Sequence, residues 1–276
     1  MSPSKRAKPA GPTFRTELKR RATDLGVASE DLERALIIGQ IAGLLVQDAS
    51  LKGKLAHKGA AVLRLVEKSE RLSRDLDSAD IRGQRVEGRA VLRALSTARA
   101  RKVVLRVVPS RPSKTGISFL VECRRLTGGT TMSITVTINW SEPFLLPVAM
   151  AEYQLPDGSP IKVPVMQAVE RAAEKVRAFL TRGEGSDAYD LWWYWSRVLT
   201  IADHQKLAGL IKRKLASAAR PIPGTAALHE RFDEMRENAH DEWRTGKGLV
   251  LSGTKPDWKD VNAALLQFKA RTPQTG

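Results

Sequence analysis

Asp75 and Asp77 stand two residues apart. Side chains alternate between faces along an extended strand, so both carboxylates emerge on one side while Leu76 points into the core. A pair of hard oxygen donors at that separation suits a divalent cation such as magnesium, which takes one or two carboxylates and completes its shell with water and phosphate oxygens. Such an ion polarises a nucleoside triphosphate for attack. The same spacing also suits two solvated surface aspartates, so the surroundings have to decide. Lys58 and Gly59 lie just upstream. A glycine after a strand lets the backbone come close to phosphate, and the helix that starts there offers free N–H groups. Ser73, two residues before Asp75, projects to the side of the aspartates, where its hydroxyl either donates to a phosphate oxygen or caps a turn.

A second set of candidates follows about a hundred residues later. Val169, Ala172, Ala173, Val176 and Leu180 recur at helical spacing and form a buried stripe. Arg171, Lys175 and Arg182 cluster on a neighbouring face of that helix, where they reach triphosphate oxygens or, on the plainer reading, form a solvated flank with Lys175 in an ordinary ion pair. Asp187 and Asp190 open the next helix, and each suits an N-terminal cap. Trp192, Trp193, Tyr194 and Trp195 follow directly. Four adjacent aromatics on a helix point in different directions, so most of them are expected in the core and none is assigned a function.

The elements that must hold these residues are legible in outline. Residues 1–13 mix Lys, Arg, Pro, Ser and Gly without apolar periodicity and read as a disordered basic tail. From Phe14 to about Asp48 the pattern is helical, with Phe14, Leu18 and Ala22 at four-residue steps and a second start at Ser29. Leu51 to Asp80 reads as strand, turn, helix, strand, and a further helix runs from Val86 to about Ala98. Strand signals then cover Val103–Val108, Ile117–Cys123 and Met132–Ile138. In the last, Met132, Ile134, Val136 and Ile138 alternate with Ser133, Thr135, Thr137 and Asn139. After the turn cluster 156–160 strand signals end and helices dominate to about Ala270. One of them carries Leu207, Leu210, Ile211 and Leu215 as its buried stripe, with Lys206, Lys212, Arg213, Lys214 and Arg220 loading it with charge. There are no internal repeats. The expected architecture is α/β of the α+β kind: a mixed sheet with one face packed on helices over residues 14–160, and a helical C-terminal lobe over 161–276.

Composition narrows the chemistry. A hydrophobic fraction of 42% supports a real core, and no apolar stretch is long enough to span a bilayer, so a cytoplasmic protein with no membrane partner is expected. Cys123 is the only cysteine, and the four histidines show no ligand spacing, which disfavours structural zinc and transition-metal chemistry. The net charge of +16 and a pI near 10.3 point to a polyanionic partner, with nucleic acid first and an acidic protein second.

The run KGAAVLRLVEKSERLSRDLD, residues 58–77, resembles the first motif of the AbiEii/MenT nucleotidyltransferases of bacterial toxin–antitoxin systems. There a strand ending in Lys-Gly or Gly-Gly leads into a helix, and an Arg-aromatic-Ser-x-Asp-x-Asp segment supplies the metal site. Here Leu72 takes the aromatic position and Ala60 replaces a glycine. VERAAEKVRAFLTRGEGSDAYDLWWY, residues 169–194, resembles the later motif, an Ala-Glu-Lys helix ending at an arginine before an Asp-x-Tyr-Asp-Leu helix start. The resemblance implies a polymerase-beta-like nucleotidyltransferase fold. It also implies a magnesium site on Asp75 and Asp77, catalytic roles for Lys175 and for Asp187 or Asp190, and nucleotide contacts from Lys58, Gly59, Ser73 and Arg182.

Many enzymes of that fold carry a third carboxylate on a neighbouring strand, where this chain offers only Thr135, Thr137 and Asn139. Either two carboxylates hold the ion, or Asp187 or Asp190 completes the set. The expected function is that of a toxin that transfers a nucleotide from a nucleoside triphosphate to RNA, at the tRNA 3′ acceptor end, and is neutralised by a cognate antitoxin. The alternatives are transfer to a protein hydroxyl, and an inert basic nucleic-acid-binding protein that keeps the fold.

Overall fold

The structure, a computed structural model, describes residues 14–83, 85–100, 104–125, 131–154, 160–217, 226–246, 249 and 251–273. The expected basic tail and Arg220 lie outside these residues. Two helices lead in, α1 (Phe14–Asp24) and α2 (Ser29–Gln47). α2 buries one long apolar flank that includes Ile37, Ile38, Ile41 and Leu45. Strand β1 (Leu55–Lys58), the short helix α3 (Gly59–Leu65), strand β2 (Asp75–Asp80) and helix α4 (Gly88–Ala100) follow, then strands β3 (Val104–Pro109), β4 (Gly116–Arg124), β5 (Thr131–Asn139), β6 (Ala149–Gln154) and β7 (Pro160–Val165).

The seven strands form one mixed sheet in the order β3-β4-β5-β2-β1-β7-β6. The strand bearing the aspartates is therefore interior. β2 runs antiparallel to β1, with Lys58 opposite Asp77, and parallel to β5, with Asp75 opposite Thr135 and Asp77 opposite Thr137. β5 alternates as its sequence demands, burying Met132, Ile134, Val136 and Ile138. These residues pack with Leu76, the α2 isoleucines, and Val91 and Leu95 of α4 into the first core. One face of the sheet is thus closed by α2 and α4, and the Asp75 and Asp77 carboxylates point from the other.

The strand pattern continues past the 156–160 turn cluster. β6 and β7 pair along their whole length, and β7 joins β1 through the single register pair His57↔Val165. Pro160 and Pro164 interrupt β7, and proline supplies no ladder N–H, so the segment carries a weak strand signal. The helical part accordingly begins at α5 (Ala168–Arg182), not at residue 161. After it come α6 (Gly185–Trp193), a π-helical turn (Tyr194–Val198), α7 (Ile201–Ala216), α8 (Ala226–Thr245) and α9 (Trp258–Lys269). Thr200 and Asp203 close a reciprocal capping box at the start of α7.

Val169, Ala172, Ala173, Val176, Phe179 and Leu180 of α5 pack with Tyr189, Leu207, Ile211, Phe232 and Phe268 into a second core. Burying each of the larger side chains stabilises the fold by about 1.5–3 kcal/mol, which is enough to fix the orientation of α5. Its polar face is then turned towards the open side of the sheet. Trp192, Trp193 and Trp195 pack partly against this core and Tyr194 is buried in it.

Candidate active site

Gly59 shows why the first motif folds as it does. Its φ of +72° is left-handed, and a Cβ built there would lie 2.6 Å from Asp77 Oδ2. Only glycine allows the chain to turn from β1 into α3 while a carboxylate rests on its backbone. Lys58 is the last residue of β1, so its side chain leaves the sheet beside Asp77.

Lys58, Asp77, Thr137 and Asn139 from the sheet, Gly59 at the start of α3, and Arg171, Glu174, Lys175, Arg177 and Arg182 from α5 line one cleft, together with Glu142 and Tyr194. Its cavity volume is about 170 Å³, with further space open to solvent. Lys58, Arg171, Lys175, Arg177 and Arg182 outnumber Asp77, Glu142 and Glu174 in the lining. The cleft is cationic before any metal ion is considered.

The helix holds its cations in fixed places. Lys175 Nζ lies 3.0 Å from Asp187 Oδ1 and 2.9 Å from Asp190 Oδ2. Arg182 Nε donates to Asp187 Oδ2 at 2.6 Å. Arg71 grips Asp190 with two hydrogen bonds, at 2.7 and 3.0 Å. Both aspartates are fully buried. Burial opposes the charge of Lys175, but Asp187 and Asp190 outweigh it and raise the ammonium above its ordinary value. Burial likewise works against Asp187, yet Lys175 and the hydrogen bond from Arg182 hold its carboxyl down at about 2. Lys175 therefore keeps its proton at neutral pH and acts as a fixed positive charge, not as a base. The αL residue Gly183 ends α5 with its N–H on Phe179 O at 2.8 Å, and the chain turns there so that Asp187 comes back beside Arg182.

Lys58 is held in the same way from the other side. Its ammonium contacts Glu142 Oε2 at 2.6 Å and pairs with Glu174. Burial opposes that charge too, and the two glutamates raise it again. Glu142 also pairs with Arg177. The segment bearing Glu142 is pinned to α5 because Glu170 accepts the N–H groups of Leu145 and Leu146 at 2.8 and 2.9 Å, and Lys214 donates to Pro143 O at 3.0 Å. Lys214 also pairs with Glu170 at 2.7 Å and is 1% exposed. It belongs to this buried network, not to the charged outer face on which the sequence placed it.

Asp75 and Asp77 share one face of β2. Among the described residues, no lysine, arginine or histidine nitrogen lies within the 4.0 Å ion-pair limit of either carboxylate. Burial and the neighbouring charge of Asp77 raise the Asp75 carboxyl above its ordinary value. Thr135, Arg34 and Arg74 offset part of this, and the repulsion left between two hard oxygen donors is what a divalent cation relieves. Among the described residues no three carboxylates, histidines or cysteines form a group that could hold a metal. Asp187 and Asp190 thus do not complete a triad with the β2 pair; they face the basic side chains behind the cleft.

Asp75 lies outside the cleft lining, and so does Ser73, which is buried and donates to the Asp75 carbonyl at 2.8 Å. Glu142, Glu174, Arg177 and Arg71 were not singled out by sequence. Glu174 stands next to Lys175 in a quoted motif and was within reach of that reading, whereas Glu142 sits in an aperiodic segment with no local signal.

Comparison with known proteins bears on the same elements. The family model described as the nucleotidyl transferase AbiEii toxin of type IV toxin–antitoxin systems matches residues 43–266, a span that contains both motifs and the whole cleft. Two Helicobacter pylori structures are similar in fold. A putative nucleotidyltransferase has a TM-score of 0.53 at 12% identity, over 89% of this chain and 94% of its own. JHP933 has a TM-score of 0.53 at 12% identity, over 88% and 90%. MenT4, the nucleotidyltransferase toxin Rv2826c from Mycobacterium tuberculosis H37Rv, gives 0.51 at 20% identity, over 92% and 99%. No curated protein matches the sequence.

Proposed function

Because the chain belongs to the AbiEii family of nucleotidyltransferase toxins from type IV toxin–antitoxin systems, we propose that its cleft transfers a nucleotide from a nucleoside triphosphate to RNA, at the 3′ acceptor end of a tRNA, and so blocks translation. Membership implies a nucleotide substrate and an antitoxin partner. The acceptor and the use of magnesium are our reading. One observation carries it: the β2 aspartate side and the cationic face of α5, distant in sequence, line the same cleft.

In this reading Asp75 and Asp77 hold magnesium, which supplies charge neutralisation at the phosphates when bound. Lys58, Lys175, Arg177 and Arg182 bind phosphate oxygens, and Asp187 and Asp190 keep Lys175 and Arg182 aimed before substrate arrives. A preset cation costs no reorganisation when charge develops on the leaving group. The acceptor oxygen forms its bond to the α-phosphorus, the bond to the bridging oxygen breaks, pyrophosphate departs and the hydroxyl proton is released. Positioning and electrostatics carry the catalysis. The net charge of +16 supports a polyanionic acceptor.

The test is incubation with each labelled triphosphate, magnesium and total RNA, run beside the Asp75→Asn variant. Label is expected on RNA with the parent chain and absent with the variant. Label on protein instead would establish transfer to a protein hydroxyl. If no label appears anywhere, and Asp75→Asn and Lys175→Ala arrest growth as strongly as the parent, the chain is an inert binder.

A further inference from the structure

A second concavity lies on the opposite face of the sheet, at the same end of β5. Its floor is formed by Leu92, Ile117 and Trp140, and its rim carries Arg85, Arg89 and Lys114. The cavity volume is about 660 Å³, and no carboxylate lines it among the described residues. The three rim cations are exposed and none has an ion-pair partner among the described residues. The catalytic cleft is the reverse case, where Lys58, Lys175, Arg177 and Arg182 all have internal carboxylates.

The wall of this groove is built in advance. Ser110 N donates to Ser118 O at 2.7 Å, Ser113 N to Gly116 O at 2.8 Å and Trp140 N to Thr115 O at 3.0 Å. Trp140 Nε1 donates to Lys114 O at 3.1 Å, which fixes the indole while leaving the ring half-buried. An oriented, partly open indole ringed by unpaired cations matches what a nucleotide strand needs: a stacking surface for a base and positive charge for its phosphates.

The groove is also continuous with the active site through the chain itself. Asn139 and Glu142 line the catalytic cleft, and Trp140 between them lines the groove. Asp77 lies opposite Thr137, three residues before Trp140, so a strand whose terminal hydroxyl lies at Asp77 has about 10 Å of β5 to pass before it reaches Trp140. We infer that this groove binds the single-stranded segment of the RNA acceptor next to its reactive end, with one base stacked on Trp140 and phosphates on Arg85, Arg89 and Lys114. The inference rests on the reading of RNA as the acceptor. The competing occupant, an acidic segment of a protein partner, would find the same charge but gains nothing from continuity with the cleft.

The measurement is direct binding of a 5′-labelled single-stranded oligoribonucleotide of about 12 nucleotides with a free 3′ hydroxyl. The proteins compared are the parent chain, Trp140→Ala, Trp140→Phe and Arg85→Ala/Arg89→Ala, at several salt concentrations, with affinity for labelled triphosphate measured in parallel. Trp140→Ala is expected to weaken RNA binding about tenfold, with recovery in Trp140→Phe. The double arginine variant should reduce the salt slope by about 0.7 for each phosphate contact removed. Triphosphate affinity should stay unchanged in all of them. RNA binding by the parent that every variant retains would overturn the groove and leave the acceptor reading standing, as would loss of binding to the cognate antitoxin with RNA affinity intact. A parent chain that binds no RNA even at low salt would overturn both.

Discussion

The Asp77 carboxylate rests on Gly59, close enough that a methyl group on that glycine would lie 2.6 Å from Oδ2. Gly59→Ala therefore meets two penalties at once. The left-handed backbone strains by about 1–2 kcal/mol for an L side chain, and Asp77 has to leave its place beside Lys58. We expect a stability loss of about that size, read from the urea midpoint, and a fall in transfer rate of at least roughly tenfold. A variant as active as the parent would show that Asp77 need not hold this position.

Lys175 separates two carboxylates that burial alone would neutralise. Asp187 has an ordinary value of 3.8 and is held at about 2 in the fold, so its ionised form contributes stability above the unfolded value that is lost as pH falls through the window from about 4 to about 2. The contribution is about 2 kcal/mol. Lys175→Met should cost about 3 kcal/mol at neutral pH, since Arg71 and Arg182 still face the pair. It should also move the acid limb of a stability–pH curve upward, as Asp187 loses its main counter-charge and Asp190, which Arg71 still holds, loses a second one. Coincident acid limbs for parent and variant would contradict this account.

His57 makes a separate pH prediction. Its Nε2 lies 3.1 Å from the Ala42 carbonyl and must donate, which leaves Nδ1 to accept from the Ser78 hydroxyl at 2.8 Å. The neutral ring is thus fully used, and burial lowers its pKa from 6.5 to about 4. The unfolded chain binds the proton first, so stability rises with pH and is lost on acidification between those two values, by about 3 kcal/mol at most. Urea titrations across that window, with His57→Gln as the reference lacking a titrating ring, measure the slope. An equal slope in both proteins assigns it to other groups.

Glu142 pairs with Lys58 and Arg177, and on the proposed reading it competes with phosphate for both. Converting its carboxylate to an amide keeps the shape and removes the charge. Glu142→Gln is expected to lower the KM for the triphosphate roughly fivefold, equivalent to about 1 kcal/mol, with kcat little changed. A raised KM would mean that the glutamate supports Lys58 and does not rival the substrate.

What was legible in the sequence was local and periodic. The two-residue step from Asp75 to Asp77, the alternation along Met132–Ile138 and the stripe from Val169 to Leu180 each follow from one repeat distance, and the fold realises all three. The rest depends on tertiary neighbours. Lys214 looks like Lys212 and Arg213 in a string of letters, and only the approach of Glu170 from α5 makes it a buried residue. Glu142 meets Lys58 across 84 positions, a separation at which no periodicity operates. Strand β7 is concealed by its own prolines and declared only by its neighbours β1 and β6.

Two separate apolar interiors anchor the opposing walls of the cleft, one beneath the sheet and one among the C-terminal helices. The width of the gap is therefore set by the packing between the two halves, where Leu63 of α3 reaches into the helical interior. A displacement of the helical half by about an ångström would change the reach from Lys175 and Arg182 to Asp77. A partner that shifted one half against the other would change that reach without entering the gap.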